Sequence, residues 1–435
     1  MLLQFTVENF RSIKGRVVFS LEASSAKEHP ENLTEIGKER VLKGAAVFGA
    51  NASGKSNLFK ALTAGIMTVR SSNIRQAGEP LPYIHPFAFD EDSVRKPTFF
   101  EFVFLHEGLK YVYGFSATRQ RVETEYLYVY KSAKATTIFK RDENAKEKYR
   151  FTSGALRKQL QPLVERNTEN KLFLATSALW NCEETKAPIM WFHHGINTFD
   201  QNYIALLSSA GQMIEADSDG SLKNFMKNIL READINISSY EYESKEIAGP
   251  EVNIPERFQG LASFQRKEYN IKTVHEIVGE DGSRALYKLD LSEESRGAQS
   301  LFFFSPFVKR ALLTGETLCI DEFDAGLHPM LVSYLVDLFN NPEVNKSNAQ
   351  LVISTHTVAL LDLRKLRRDQ IYFMDKDQQT GASELYSLDE FSPRTREDIC
   401  KSYMLGRYGS IPFLGQGDAR DVAGDGIRRK ARTNP

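Results

Sequence analysis

The segment Gly49-Ala50-Asn51-Ala52-Ser53-Gly54-Lys55-Ser56 sets two glycines around four residues and follows them with a lysine and a hydroxyl. Glycine at both ends lets the backbone turn tightly enough for successive N–H groups to aim at one point. A nest of amides beside a helix N-terminus holds phosphate oxygens. In that arrangement Lys55 bridges the β- and γ-phosphates of a nucleoside triphosphate, and the Ser56 hydroxyl ligates Mg²⁺. Gly49, Asn51, Ala52, Ser53, Gly54 and Asn57 are the further candidates for contact with ATP. The context fits, because an apolar run, Ala45 to Phe48, precedes the turn and helical spacing through Leu58, Leu62, Ile66 and Val69 follows it.

A serine hydroxyl alone does not hold a divalent ion, so a distant carboxylate is required. Leu318-Cys319-Ile320-Asp321-Glu322 supplies an apolar strand ending in two acids. Asp321 is expected to complete the Mg²⁺ shell and Glu322 to polarise the attacking water. His356, just past the apolar run Leu351 to Ser354, stands where an imidazole reaches a γ-phosphate and senses its loss. Ser295-Arg296-Gly297-Ala298-Gln299 opens a further helix, and its hydroxyl and bare amide form a second phosphate-binding surface. One triphosphate already wrapped by residues 49–56 leaves no room for it. The arrangement makes sense when two copies meet head to tail, Ser295 and Gly297 of each closing over the nucleotide of the other.

Stepwise along the chain, strands are expected at Leu2 to Val7, Arg16 to Leu21 and Ala45 to Phe48. A β-rich antiparallel segment follows at Phe99 to Phe104, Tyr111 to Phe115 and Glu125 to Tyr130, where aromatic residues alternate. Helices are expected over 155–178 and 221–233, then a strand group at 235–243, 269–278 and 285–291. After residue 292 the α/β rhythm returns: helix 299–313, strand 317–320, helix 330–339, strand 350–354 and strand 370–374. The simplest architecture is an α/β nucleotide-binding head assembled from both chain ends, 1–71 and 291–412, with a mixed α+β insertion at 72–290. Residues 413–435 are expected to be a disordered basic tail, since Lys401 to Pro435 holds seven basic residues against three acidic ones.

Composition bounds the class. The chain has 435 residues, of which 41% are hydrophobic and 26% charged, which excludes whole-chain disorder and fibrous folds. The net charge of -1 neither demands nor forbids nucleic acid. Three scattered cysteines, Cys182, Cys319 and Cys400, offer neither a disulfide framework nor a zinc knuckle. No run approaches the ~20 apolar residues of a bilayer-crossing helix. The opening carries Glu8 and Arg11 where a signal peptide needs apolar residues, so a cytoplasmic location is expected.

Together with the N-terminal ENFRSIK, the segments GANASGKSN, SRGAQ, IDEFDAGLHP and ISTH resemble the phosphate loop, signature, Walker B with D-loop, and switch histidine of ABC-type ATPases of the SMC, RecF and OLD branch. Within it, PTFFEFVFLHEGLKYVYGF, RRDQIYFMDKD with SELYSLDEF, and the stretch Tyr403 to Pro412 are similar to small bacterial AAA-type ATPases of abortive-infection and phage-defence operons. The resemblance implies ATP hydrolysis, a head-to-tail dimer or higher oligomer, and Ser295 and Gly297 on the partner's γ-phosphate. It further implies Asp324 at the dimer seam and Arg11 approaching the nucleotide. An operon-encoded nuclease or toxin is the implied effector, a nucleic acid or phage protein the implied trigger, and no membrane partner is expected. Ala298 departs from the Gln or Glu of transporter-type signatures, and Gln76 is the candidate Q-loop glutamine. The main alternative is a RecF- or Rad50-like DNA-repair ATPase, with Arg364, Lys365, Arg367 and Arg368 as its basic path. A transporter ATPase, a nuclease fusion using Asp375 and Asp377, and a non-hydrolysing scaffold are further rivals.

Overall fold

The computed structural model describes residues 1–199, 203–233, 235–247, 266–394 and 397–412. The expected basic tail, 413–435, lies outside them. The chain opens with β1 (Leu2–Glu8), β2 (Val17–Ser20), a hairpin of β3 (Leu33–Ile36) and β4 (Glu39–Leu42), then β5 (Gly44–Phe48) and α1 (Lys55–Arg70). A short α2 (Glu91–Arg95) leads into β6 (Thr98–His106), β7 (Leu109–Ala117), β8 (Val122–Tyr130), β9 (Thr136–Asp142) and β10 (Tyr149–Arg150). Next come α3 (Gly154–Val164), α4 (Phe173–Leu179), α5 (Glu183–Met190), β11 (Ile196–Phe199), α6 (Tyr203–Glu215) and α7 (Ser221–Glu232). A three-stranded sheet of β12 (Ser239–Ile247), β13 (Arg266–Val278) and β14 (Arg284–Asp290) precedes α8 (Arg296–Thr314). The last stretch alternates β15 (Thr317–Ile320), α9 (Pro329–Asn340), β16 (Gln350–Ser354), β17 (Ile371–Lys376), β18 (Ser383–Ser387) and α10 (Ile399–Met404).

The site is positioned by a six-stranded sheet in the order β11-β15-β16-β5-β17-β18, parallel except at its β17–β18 edge. β5 comes from one end of the chain and β15 to β18 from the other, as expected for a head built from both. Its inner strands are apolar without alternation because both faces are covered. Side chains still point to opposite faces in turn: Ala45 and Val47 enter one core with Leu58 and Leu62 of α1, while Ala46 and Phe48 enter the other with Leu301 and Phe304 of α8.

A second, seven-stranded antiparallel sheet runs β10-β9-β8-β7-β6-β1-β2, so strands of 72–290 hydrogen-bond directly to those of 1–71. The buried Gln350 amide clamps the two sheets. Its Oε1 accepts from Leu2 N at 2.6 Å and Thr317 Oγ1 at 2.7 Å, and its Nε2 donates to the Leu2 and Leu42 carbonyls, both at 2.9 Å.

The structure adds elements that were not expected, among them the β3–β4 hairpin, β9, α5, α6, β18 and α10, and it divides one that was. The single helix over 155–178 is two helices, α3 and α4, interrupted by the polar run Glu165 to Lys171, where Asn170 instead bonds the carbonyls of Gln76 and Glu79. β11 was not anticipated: four residues with one fully buried position carry too little pattern to be seen.

At Gly44 a Cβ would lie 2.1 Å from the Leu351 carbonyl oxygen, so only glycine lets β5 pair with β16 here. Gly44→Ala is expected to cost about 1–3 kcal/mol of unfolding free energy through forced strand separation. Urea unfolding measures it; an unchanged midpoint would show that the pairing tolerates the extra methyl.

Candidate functional site

Parallel strands place their carboxyl ends on one edge, and the candidate residues sit there. At the end of β5, Gly49 has φ 156° and Gly54 has φ 114°, both in the range that favours glycine. A Cβ at Gly49 would fall 2.5 Å from the Met374 carbonyl, and one at Gly54 2.3 Å from Ser383 Oγ. The loop therefore needs glycine twice over, for conformation and for space. Gly54 leads into α1 without a side-chain cap and with no acid in the first turn, which leaves the positive helix end unopposed locally. Asn51 and Ala52 are exposed, Ser53 is buried, and Ser56 and Asn57 are half-buried at the start of α1.

Lys55 is buried, and its ammonium donates to the carbonyls of Gly49 at 2.7 Å and Ala50 at 3.0 Å. Burial pushes its pKa below the usual lysine value, against the pull of Asp321, Glu322 and Asp324. Those three acids thus share the electrostatic neighbourhood of the lysine, although more than 260 residues separate them from it in sequence.

Ser354, at the end of β16, sets the acidic turn. Its hydroxyl donates to Asp321 Oδ1 at 2.6 Å and accepts from Glu322 N at 2.7 Å. Glu322 is held at φ 50°, a strained value for a side chain of this size, which turns it out of the strand line. Asp324 Oδ2 accepts from His356 N at 2.8 Å and from Thr357 Oγ1 at 2.9 Å. Burial, and next the charge of Lys55, lower the pKa of His356 against the three acids, which favours a neutral imidazole.

The structure brings Gly49 to Asn57, Asp321, Glu322 and His356 together. Arg11 is exposed, with its guanidinium 5.7 Å from the Phe10 ring centroid. The described contacts of that turn with the loop run instead through Ser12, whose Oγ accepts from Asn57 Nδ2 at 2.7 Å and from Ser383 Oγ at 2.8 Å. Ser383 also donates to the Ser53 carbonyl at 2.8 Å. Sequence reading assigned no role to Ser12, Ser383 or Ser354, although each lay inside a segment already singled out, ENFRSIK, SELYSLDEF and ISTH.

Ser295 is exposed and caps α8, accepting from Ala298 N at 3.2 Å. A Cβ at Gly297 would sit 2.4 Å from the Gly326 carbonyl, so the two loops touch backbone to backbone. α8 covers the opposite sheet face from α1, and among the described residues no side-chain hydrogen bond joins Ser295 to residues 49–57. Gln76 lies in a turn after α1, its N–H donating to Glu79. Asp375 accepts from Ser410 N, and Asp377 closes a hairpin turn; among the described residues no three His, Cys, Asp or Glu are grouped to hold a metal.

The loop fits a triphosphate: a cradle that two Cβ atoms would fill, an open helix N-terminus and a buried lysine. Ser56 and Asp321 are oxygen donors of the kind Mg²⁺ takes, and the ion supplies charge neutralisation at the phosphates.

A glycine-rich phosphate loop at one strand end, with paired acids and a histidine at the next two, is the arrangement of a P-loop nucleotide-binding head. The chain belongs to the family described as "AAA domain, putative AbiEii toxin, Type IV TA system", whose model matches residues 45–167 and 201–362, and it is thereby related to abortive-infection AAA proteins. Among solved structures it is similar to an SMC head bound to the C-terminal winged-helix domain of ScpA (13% identity, 89% of this chain and 97% of that one, TM-score 0.44). It is also similar to the SMC head domain of Thermotoga maritima (13%, 89% and 98%, 0.36) and to cbiO1 of Clostridium perfringens, part of an ABC transporter complex (13%, 94% and 98%, 0.31). No curated protein matches the chain.

Ser354→Ala removes the hydroxyl that orients both acids. Folding is expected to survive with a loss of about 1–3 kcal/mol. Mg²⁺-dependent tightening of ATP binding, followed by calorimetry with and without the ion, is expected to weaken. Undiminished Mg²⁺ dependence would remove Asp321 from the metal shell.

Proposed function

We propose that this chain binds ATP with Mg²⁺ and hydrolyses it, that two copies close head to tail around the nucleotides, and that closure and release control an effector in abortive-infection defence. The observation that carries the reading is the convergence of Lys55, Asp321, Glu322 and His356 at neighbouring strand ends. Residues 49–57 hold the phosphates, with Lys55 swinging from its carbonyl partners to the β- and γ-oxygens. Ser56 and Asp321 hold the ion, Glu322 orients water, and neutral His356 faces the outermost phosphate.

The exposure of Ser295 supports its service to a second copy, since a loop committed to its own chain would be covered. Asp324, bonded to His356 and Thr357 and close to the Gly297–Gly326 contact, suits the dimer seam. The family description, which names an abortive-infection toxin and a toxin–antitoxin system, supports the defence setting and an operon-encoded nuclease or toxin as partner. Among the described residues no helix is long and apolar enough to cross a membrane, in keeping with the proposed cytoplasmic site of action.

The basic path proposed for the DNA-clamping alternative is reduced by one buried residue and is ion-paired throughout. Arg364 pairs with Asp362, Lys365 with Asp337, Arg368 with Glu28, and Arg367 is buried against Asp369. Arg367 is thereby removed from the surface, and the other three carry an acidic partner each.

Lys55→Ala is expected to abolish ATP binding and any defence phenotype, whereas Glu322→Gln is expected to bind ATP and accumulate as a dimer. Light scattering coupled to size exclusion reads the second outcome. The same mass for Glu322→Gln with and without ATP would sink the gating role and leave the ATPase intact.

A further inference from the structure

The three-stranded sheet ends in an edge that no described strand pairs. In the order β12-β13-β14, β14 has one neighbour, and six of its seven residues are exposed. Native edge strands avoid unwanted pairing by being short, bulged, interrupted by proline or dense in like charge. β12, on the other edge, follows that rule with Glu241, Glu243 and Glu246. β14 does not. It runs Arg284-Ala285-Leu286-Tyr287-Lys288-Leu289-Asp290 in unbroken register with β13, without proline, and its centre is apolar. Leu286 is 69% and Tyr287 55% exposed, and the exposed Ile277 and Val278 of β13 extend the apolar surface beside them.

The strand is complementary to itself. Two copies related by a two-fold axis perpendicular to the sheet pair antiparallel, and each face of one continues the same face of the other. Even-numbered residues therefore oppose even, and odd oppose odd. With the axis at Tyr287, Arg284 of each copy stands opposite Asp290 of the other, Leu286 stands opposite Lys288, and the two Tyr287 rings are neighbours. Moving the axis to Leu286 sets Arg284 against Lys288; moving it to Lys288 sets Asp290 against Leu286. Unlike charges meet in the first register and in neither of the others, and cross-strand charge helps to decide register. Arg284 holds Glu276 at 2.8 Å, yet its side chain is 75% exposed and open to a second carboxylate.

We infer that β14 is a docking edge for a second copy of this chain, paired antiparallel about Tyr287 so that two three-stranded sheets become one of six strands. The contact goes beyond closure around ATP and does not rest on it. β14 runs through the turn Leu291–Glu293 into Ser295, and Glu294 is bonded to His275 of β13 at 2.7 Å, so the joined sheet is anchored beside the serine-glycine turn of each copy. Two paired strands of seven residues make a small interface, and the association is expected to be weak and concentration-dependent.

Sedimentation of the full chain without nucleotide, from dilute to concentrated solution, reads the association. The wild type is expected to pass from monomer to dimer. Arg284→Glu sets a like-charged pair at both ends of the contact and is expected to weaken the dimer about tenfold, while Arg284→Lys keeps it. Cross-linking with a thiol reagent that spans less than about 10 Å reads the register: copies of Tyr287→Cys lie opposite one another and are joined. Copies of Leu289→Cys, four residues apart along the strands, are separated by about 14 Å and are not. A wild type that stays monomeric throughout would overturn the inference, and slow hydrogen exchange along β14 in that monomer would show a segment of the same chain on the edge instead. So would a dimer that Arg284→Glu leaves unchanged, or one that cross-links through Leu289→Cys as readily as through Tyr287→Cys. None of these outcomes depends on nucleotide, so failure here is separate from failure of the ATP reading.

Discussion

Burial of the parallel sheet on both faces is the constraint from which the site follows. A sheet covered by α1 and the antiparallel strands on one side, and by α8 and α9 on the other, must be built of short, uniformly apolar strands. Its polar business is then forced to the ends. Because β11, β15, β16, β5 and β17 run the same way, all their outgoing loops leave from one edge. The phosphate loop, the acidic turn and the histidine converge there without any need to be near in sequence. The Gln350 clamp, with four hydrogen bonds from one side chain, holds the other end of the sheet.

Much of this could be read from the residues. The positions of Gly49 to Ser56 and of Asp321 with Glu322 at strand ends were legible because a glycine-rich turn between strand and helix, and an apolar strand ending in two acids, are local patterns. The helices α1, α8 and α9 were legible because each presents an apolar stripe at helical period. What stayed hidden has no local signature. β11 is an edge strand of four residues whose only reason to be extended is the neighbouring β15. Ser383 reaches the loop from more than 300 residues away, and a lone serine in a hairpin looks like any other. Arg11 attracted notice through its motif, yet Ser12, the small neighbour, touches the structure around the loop. Charge is conspicuous in a sequence; close packing is not. The same holds for Arg367, one of four basic residues in a short stretch, which turns out fully buried and bonded to the carbonyls of Ala26 and Glu28.

The signature helix is tied to the acidic turn of its own chain. From Ser354 a hydrogen bond leads to Asp321 and another to Glu322; two residues on, Asp324 is bonded to the backbone of His356 and the hydroxyl of Thr357. Ala325 accepts from Ser300 Oγ of α8 at 3.2 Å, and Gly326 lies against Gly297 with no space for a methyl group. The path from Asp321 to Ser295 therefore has no loose joint: every step is a hydrogen bond or a backbone contact. Packed interfaces of this kind shift as units, since the contacts leave no room for graded deformation. If the nucleotide is sensed at Glu322 and His356 as proposed, a change there would be conveyed mechanically to the serine-glycine turn that faces outward. Under the head-to-tail arrangement this would couple the two nucleotide sites, because the turn that leaves one site in response to hydrolysis is the turn that closes the other.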